Sequence, residues 1–335
     1  MSKADACAAI LWIGATMYAV FGGADFGAGL WDLLAGGAER GSRARARIQR
    51  SITPVWEANH VWLIFILVVL WTAFPEVFAA IMSTLYVPLT LAALGIVLRG
   101  AAFAFRKSVE GLPARRALGA TFALSSVMTP FFMGTVVGAI ASGNVPAEGN
   151  GAAFSSWLEP LPLLIGALFV ASGAYLAAIF LVADSHRAGD SEMEGYFAGR
   201  ALAAGLVAGA LAVLGLVALH ADARYVYERL IVEGLPLVIV SMLCGFGVLA
   251  LLLRRGRRGL RPLAIAAVAA IIWGWGVAQF PYLLPTSLEI AAAAAPDPTL
   301  TSVLVVFGVA TVTILPALGL LYTLAQRDIV GESGE

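Results

Sequence analysis

Long apolar runs separated by short polar stretches dominate the pattern of residues along the chain. Each run is about 20 residues long, the length that an α-helix needs to cross the hydrocarbon core of a bilayer. A transmembrane barrel would instead show short segments of alternating polarity, and this sequence has none. We therefore predict an all-α integral membrane protein that forms a single transmembrane helical domain over residues 1–335. About nine spans are expected, near residues 8–30, 55–74, 77–99, 118–140, 160–183, 198–220, 235–253, 262–281 and 301–324.

The composition supports this class and excludes others. Of the 335 residues, 60% are hydrophobic and 13% are charged, whereas roughly a quarter of residues are charged in a soluble domain. Lys and Arg balance Asp and Glu at 21 each, so no net charge favours nucleic acid. These figures exclude a soluble enzyme, a disordered chain and a nucleic-acid binder. The first apolar run continues through Asp25 without a clear cleavage site, so we expect it to remain as a helix.

The distribution of basic residues between the predicted loops indicates an orientation. If the N-terminus lies outside, all but three of the 21 Lys and Arg residues fall on inner loops, their helix ends or the C-terminal tail. The outer three are Lys3, Arg224 and Arg229. Because cytoplasmic loops carry an excess of Lys and Arg, we expect the N-terminus outside and the C-terminus in the cytoplasm. Binding of anionic membrane lipid is the alternative role for the arginine runs.

Asp25, Glu57 and Arg99 fall inside or at the ends of the first three predicted spans, where a buried charge costs a few kcal/mol. Asp25 lies about 5–8 Å from the inner end of the first span, at 1.5 Å per residue. Glu57 lies about one turn into the second span, and Arg99 ends the third. Since these three helix ends meet at the same membrane face, we expect a buried acid–base cluster that faces the interior of the bundle.

Neighbouring residues extend this cluster. Glu57 and His60 are three residues apart and share one helix face, and both side chains can take and give a proton, as a relay requires. Gly23 and Gly27 form a small-residue face that allows another helix to approach closely. The hypothesis is a proton path or buried polar cluster formed by Asp25, Glu57, Asn59, His60 and Arg99.

Simpler interpretations stay open for each of these residues. Asp25 and Arg99 can form a purely structural ion pair, and Glu57 can reach interfacial water. His60 can be a hydrogen-bonded packing residue, and Trp56 suits an aromatic belt or a packing contact. A haem ligand at His60, paired with a methionine, is a further alternative. The sequence contains no metal-binding motif or dinucleotide fingerprint.

Five segments of the chain resemble the subunit II family of cytochrome bd-type quinol oxidases. They occur in the order and at the spacing typical of that family, and they extend over nearly the whole chain. The two most specific segments are GADFGAG at residues 23–29 and PVWEANHVWL at residues 54–63. The others are AFPEVFA at residues 73–79, LRGAAF at residues 98–103 and FPYLLPTS at residues 280–287.

The resemblance implies a non-haem subunit of a terminal oxidase in the bacterial cytoplasmic (inner) membrane. Its partner, subunit I, would carry haems of the b and d types, oxidise quinol and reduce oxygen to water. A small single-helix subunit is a further candidate partner, and no cofactor is expected in this chain, which has no active site of its own. The family's two acids correspond to Glu57 and Asp25, and its arginine corresponds to Arg99. Protons from the cytoplasm would pass partly through this subunit.

Some residues depart from the family pattern. Relatives usually have Asp-Gly-Asn where this chain has Glu57-Ala58-Asn59, often Gln or Glu at the position of His60, and a second acid before Asp25. These departures indicate a divergent member with a modified proton route or a different haem set in its partner. Two further hypotheses stay open: a stand-alone proton-coupled transporter or channel, and a purely structural assembly subunit. Transporters often have helices broken at mid-membrane, whereas the Pro and Gly breaks of this chain cluster at helix ends.

Overall fold

The computed structural model describes residues 2–37, 39–52, 56–105 and 111–326. Helices account for most of these residues, and the one sheet in this part of the chain is a two-stranded hairpin, β1 (Tyr282–Leu284) and β2 (Leu288–Glu289). The helices are α1 (Lys3–Met17), α2 (Gly23–Leu33), α3 (Ser42–Ile52), α4 (Trp56–Ala73), α5 (Pro75–Thr84), α6 (Tyr86–Phe105), α7 (Leu112–Ala141), α8 (Pro160–Arg187), α9 (Ser191–Asp222), α10 (Arg224–Val232), α11 (Leu235–Leu253), α12 (Leu260–Gln279) and α13 (Asp297–Gln326).

Eight helical segments among the described residues are long and apolar enough to cross a membrane, and the number is nine if the bent pair α4–α5 is counted as one span. The protein is therefore a multi-pass, all-α membrane protein, as predicted. The first span combines α1, a π-helical turn at Tyr18–Gly22 and α2 into one segment from Lys3 to Leu33.

The predicted third span, 77–99, is wrong in its boundaries. Residues 75–84 form the separate helix α5, which is bent by 118° from the described part of α4, and the span itself is Tyr86–Phe105. Pro88 explains the break between α5 and α6. A proline has no N–H for the carbonyl four residues earlier, and its ring clashes with that carbonyl. The carbonyl concerned belongs to Thr84, the last residue of α5.

Helix α8 lies at the centre of the bundle and packs against α2, α7 and α9. Its middle residues, from Ala174 to Val182, are almost all buried, and they form a core with residues of α2, α3, α9 and α12. Few side chains of α9 and α11 are buried, so these helices expose apolar faces of the kind that contact lipid.

Ion pairs join several interhelical connections at one end of the bundle. Arg43 on α3 pairs with Asp190 and Glu192 at the start of α9, and Arg257, before α12, pairs with Glu194. At the opposite end, Lys3 pairs with Asp297 at 2.8 Å. The connections after spans one, five and seven therefore lie at the same end, as the alternation of basic loops predicts.

Candidate functional site

Asp25 and Arg99 form a buried ion pair between the first span and α6. Arg99 Nη2 donates to Asp25 Oδ1 at 2.6 Å and to the backbone carbonyl oxygen of Asp25 at 3.2 Å. Both residues are almost completely excluded from solvent. A hydrogen bond between two charged groups is roughly twice as strong as one between neutral groups, so this contact links the two helices directly.

The pair lies deeper than the sequence analysis predicts. Helix α2 continues for eight residues beyond Asp25, to Leu33, and α6 continues for six residues beyond Arg99, to Phe105. At 1.5 Å per residue, the pair therefore lies about 9–12 Å from these helix ends. The surrounding helices bury both side chains.

Aromatic rings enclose the guanidinium group of Arg99. Its Cζ atom lies 4.6 Å from the centre of the Phe26 ring and 4.9 Å from that of Phe122 on α7. A cation within about 6 Å of an aromatic face is attracted by the ring quadrupole, more strongly where water is excluded. The arginine is thus held by one carboxylate and two rings.

His60 contacts the same group of residues. Its ring is half-buried and meets the edge of the Phe26 ring at a centroid distance of 5.9 Å. His60 also lies within electrostatic range of Asp25. The Phe26 ring therefore contacts both the imidazole and the guanidinium group.

The side chains of Trp56, Glu57, Ala58 and Asn59 lie outside the described part of the structure, as do residues 53–55. The backbone of α4 is helical from Trp56 onward, so Glu57 precedes His60 by about one helical turn. The roles predicted for Trp56, Glu57 and Asn59 stay predictions. Among the described residues, Asp25 Oδ2 and the Arg99 Nε and Nη1 atoms have no hydrogen-bond partner.

Glycines bring α2 and α8 into backbone contact beside the ion pair. A Cβ atom added to Gly27 would overlap the carbonyl group of Gly173, and one added to Gly173 would lie 2.6 Å from the Gly23 carbonyl oxygen. One helical turn further on, Trp31 Nε1 donates to the Ala174 carbonyl oxygen at 2.8 Å. The glycine face predicted from the sequence thus packs against α8, and this contact fixes the position of Asp25.

Two residues at this site are missing from the predicted set. Phe122 covers Arg99 from α7, and the rotation of α7 about its axis cannot be read from its sequence. Tyr18 is seven residues before Asp25, about two turns of a regular helix, so the sequence contains a signal for it. Among the described residues, no group of three or more His, Cys, Asp and Glu side chains is arranged to hold a metal ion.

The chain matches a known family over most of its length. The sequence model described as "Cytochrome bd terminal oxidase subunit II" matches residues 4–325. The segments quoted above from residues 23–29 to 280–287 all lie inside this range.

Individual relatives have the same description. The chain is 30% identical over 128 residues to the cytochrome bd ubiquinol oxidase subunit 2 of Bacillus subtilis, and this match covers 38% of the chain and 36% of the relative. It is 30% identical over 163 residues to the cytochrome bd-I ubiquinol oxidase subunit 2 of Escherichia coli, covering 46% of the chain and 41% of the relative. The matched stretches thus span less than half the length of either relative.

A solved structure has the same fold. A chain of the bd oxidase from Geobacillus thermodenitrificans superposes with a TM-score of 0.75, and the match covers 97% of this chain and 98% of that one. The two are 24% identical. At this identity the match establishes only the arrangement of helices. The roles of individual residues are argued from the geometry of the site.

Proposed function

This chain belongs to the cytochrome bd terminal oxidase subunit II family, and we propose on that premise that it is the non-haem subunit of a quinol-oxidising terminal oxidase. The observation that carries the proposal is the family match over residues 4–325, together with a fold shared over 97% of the chain. The proposed partner is a haem-bearing subunit I in the bacterial inner membrane, and a small single-helix subunit is a further candidate.

In the proposed complex, the partner subunit carries out electron transfer. Haems held by subunit I would supply the transfer of electrons from quinol to oxygen. Oxygen reduction also consumes protons, which must cross a low-dielectric region to reach a buried site. In this chain, Asp25, His60 and Arg99 are polar groups at membrane depth, where such residues commonly mark proton paths.

Each residue of the cluster has a proposed role in proton uptake from the cytoplasm. Glu57 is the principal relay acid, and His60, one helical turn deeper, exchanges protons with it. Asp25 is held beside His60 by Arg99, and Asn59 organises the hydrogen bonds around Glu57. This assignment is supported by the electrostatic coupling between Asp25 and His60 and by the contacts that His60 and Arg99 both make with the Phe26 ring.

Arg99 has two possible partners in this account: Asp25, or a haem propionate across the subunit interface. The geometry favours Asp25, because Arg99 lies beneath Phe26 and Phe122 and its Nη2 atom already donates to the carboxylate. We therefore propose that Arg99 holds and orients the Asp25 side chain.

A purely structural role for the cluster is the second candidate. The short Arg99–Asp25 contact and its burial favour it, since in some proteins buried polar or ionic groups serve to specify packing. The two candidates make different predictions for Glu57. If the cluster is purely structural, replacement of Glu57 by Gln does not change proton uptake.

Purification of the complex from its native membrane tests the oxidase assignment. The chain would be tagged, extracted in mild detergent and examined by a reduced-minus-oxidised visible spectrum, with untagged membranes as the control. The expected result is a co-purifying polytopic partner with haem bands and quinol-dependent oxygen consumption. A folded, colourless chain without a partner would contradict the assignment and favour a stand-alone transporter.

A further inference from the structure

Tyr18 is a partly buried residue with a buried hydroxyl group that the roles proposed above do not use. It begins the π-helical turn of the first span, and Gly23 N–H donates to its backbone carbonyl oxygen, five residues earlier. Such turns are often found at functional sites in helices. Among the described residues, the Tyr18 hydroxyl is buried and has no hydrogen-bond partner.

The surroundings of the Tyr18 ring fix its position beside the ion pair. A Cβ atom added to Gly22 would lie 2.8 Å from the ring, so the phenol occupies the space that a side chain at position 22 would take. The ring also meets Phe26 edge-on, at a centroid distance of 6.5 Å. Phe26 is the residue that covers Arg99 and contacts His60, and Tyr18 lies within electrostatic range of both Asp25 and Arg99.

The polar atoms without partners in this region have complementary chemistry. Within the described structure they are the Tyr18 hydroxyl, Asp25 Oδ2, and Arg99 Nε and Nη1. The carboxylate oxygen accepts, the two nitrogens donate and the hydroxyl does both. Buried polar groups almost always have a partner, and a buried water typically makes about three hydrogen bonds to groups of this kind.

We propose that Tyr18 is a positioning residue of the proton path, whose hydroxyl holds an ordered water against Asp25 Oδ2. The phenol donates its hydrogen to the water, and the water donates to the carboxylate oxygen that Arg99 leaves free. Tyr18 stays protonated throughout, so no net transfer of its proton occurs. The proposal rests on the proposed function, because an oriented Asp25 matters to turnover only if protons pass the cluster.

Tyr18→Phe removes the hydroxyl and keeps the ring over Gly22, so it tests this role in the assembled complex. The control is Tyr175→Phe, which removes another buried hydroxyl without a described partner, from a ring that packs against Gly205 on α9. Proton uptake would be followed with a pH-indicator dye after the reduced complex is mixed with oxygen. The solvent isotope effect would be measured on the same phase.

For Tyr18→Phe we expect unchanged haem content and proton uptake slowed by roughly 3- to 10-fold, the cost of one hydrogen bond. The solvent isotope effect should increase, because a proton step then limits the rate, and this is a change that loosened packing alone would not produce. Tyr175→Phe should behave as wild type. Equal rates and isotope effects in wild type and Tyr18→Phe would overturn the proposal.

Gly22→Ala provides a second test, since it keeps the hydroxyl and displaces the ring. If Gly22→Ala acts through the Tyr18 hydroxyl, it slows proton uptake in an otherwise wild-type chain and has no further effect in the Tyr18→Phe background. Additive effects would overturn the proposal, even if Tyr18→Phe alone lowered haem content. Normal proton uptake in Glu57→Gln would instead refute the proposed function. Slow uptake in Glu57→Gln together with normal uptake in Tyr18→Phe would refute only the role of Tyr18.

Discussion

Arg99 on α6 and Asp25 on the first span meet at 2.6 Å, with 3% and 2% of their side chains exposed. Two charges buried in this way depend on each other, because removing one leaves the other uncompensated. Loss of one partner of a buried pair commonly costs about 3–5 kcal/mol, whereas replacing both by uncharged groups is often neutral. Because of this asymmetry, single and double variants can distinguish the contribution of the pair to stability from its role in turnover.

Asp25→Asn should destabilise the assembled complex, because it leaves the Arg99 guanidinium without its charged partner. We expect a loss of about 3 kcal/mol or more, measured as reduced haem-containing complex and faster thermal inactivation. The double variant Asp25→Asn, Arg99→Met should recover much of this stability, and its turnover per haem should stay low.

Full turnover of that double variant at normal haem content would show that the pair serves packing alone. Equal stability of wild type and Asp25→Asn would contradict the described contact itself.

Gly27→Ala should separate α2 from α8, because the added methyl group overlaps the Gly173 carbonyl. Overpacking of this kind costs about 1–3 kcal/mol, and here it also displaces Asp25. Thermal inactivation of the purified complex measures the loss. Gly209→Ala on α9 is the matched control, since an added Cβ meets nothing within 4 Å there. Similar stability of the two variants would refute the close approach of these helices.

The proposed orientation predicts which loops a membrane-impermeant maleimide reaches in intact cells. In a background with Cys7 and Cys244 replaced by alanine, Ser155→Cys lies in the exposed connection between α7 and α8, and Ser191→Cys lies at the start of α9. We expect labelling of Ser155→Cys from outside and of Ser191→Cys only after cell lysis. Asp190, next to Ser191, pairs with Arg43 in the arginine-rich connection that we expect on the inner side. The reverse pattern would invert the orientation.

The sequence alone predicts the membrane class and most of the spans, because hydropathy and span length depend on local composition. It does not predict the boundary at 77–99, since α5 is apolar and only the prolines at 75 and 88 mark its two ends. The π-helical turn at Tyr18–Gly22 has no simple pattern of polarity, because its geometry depends on packing around it.

The candidate site shows the same limit. Asp25 and Arg99 lie near the ends of successive spans whose directions alternate, so their proximity is predictable. Their depth is not, because α2 and α6 continue for eight and six residues beyond them. The cover of Phe122 over Arg99 and the contact between Gly27 and Gly173 depend on how α7 and α8 rotate and pack. Those rotations arise from tertiary contacts between helices distant in sequence.

Quinol-dependent proton uptake by the complex in proteoliposomes, compared between wild type and Glu57→Gln at equal haem content, tests the central claim. Glu76→Gln is the matched control, because it makes the same change at an exposed acid on α5. A positioned acid or base contributes about 10²–10⁴-fold to proton transfer, so we expect at least about a tenfold loss of uptake in Glu57→Gln and none in Glu76→Gln. Wild-type uptake in both variants would contradict a proton path through this chain and leave it a structural subunit.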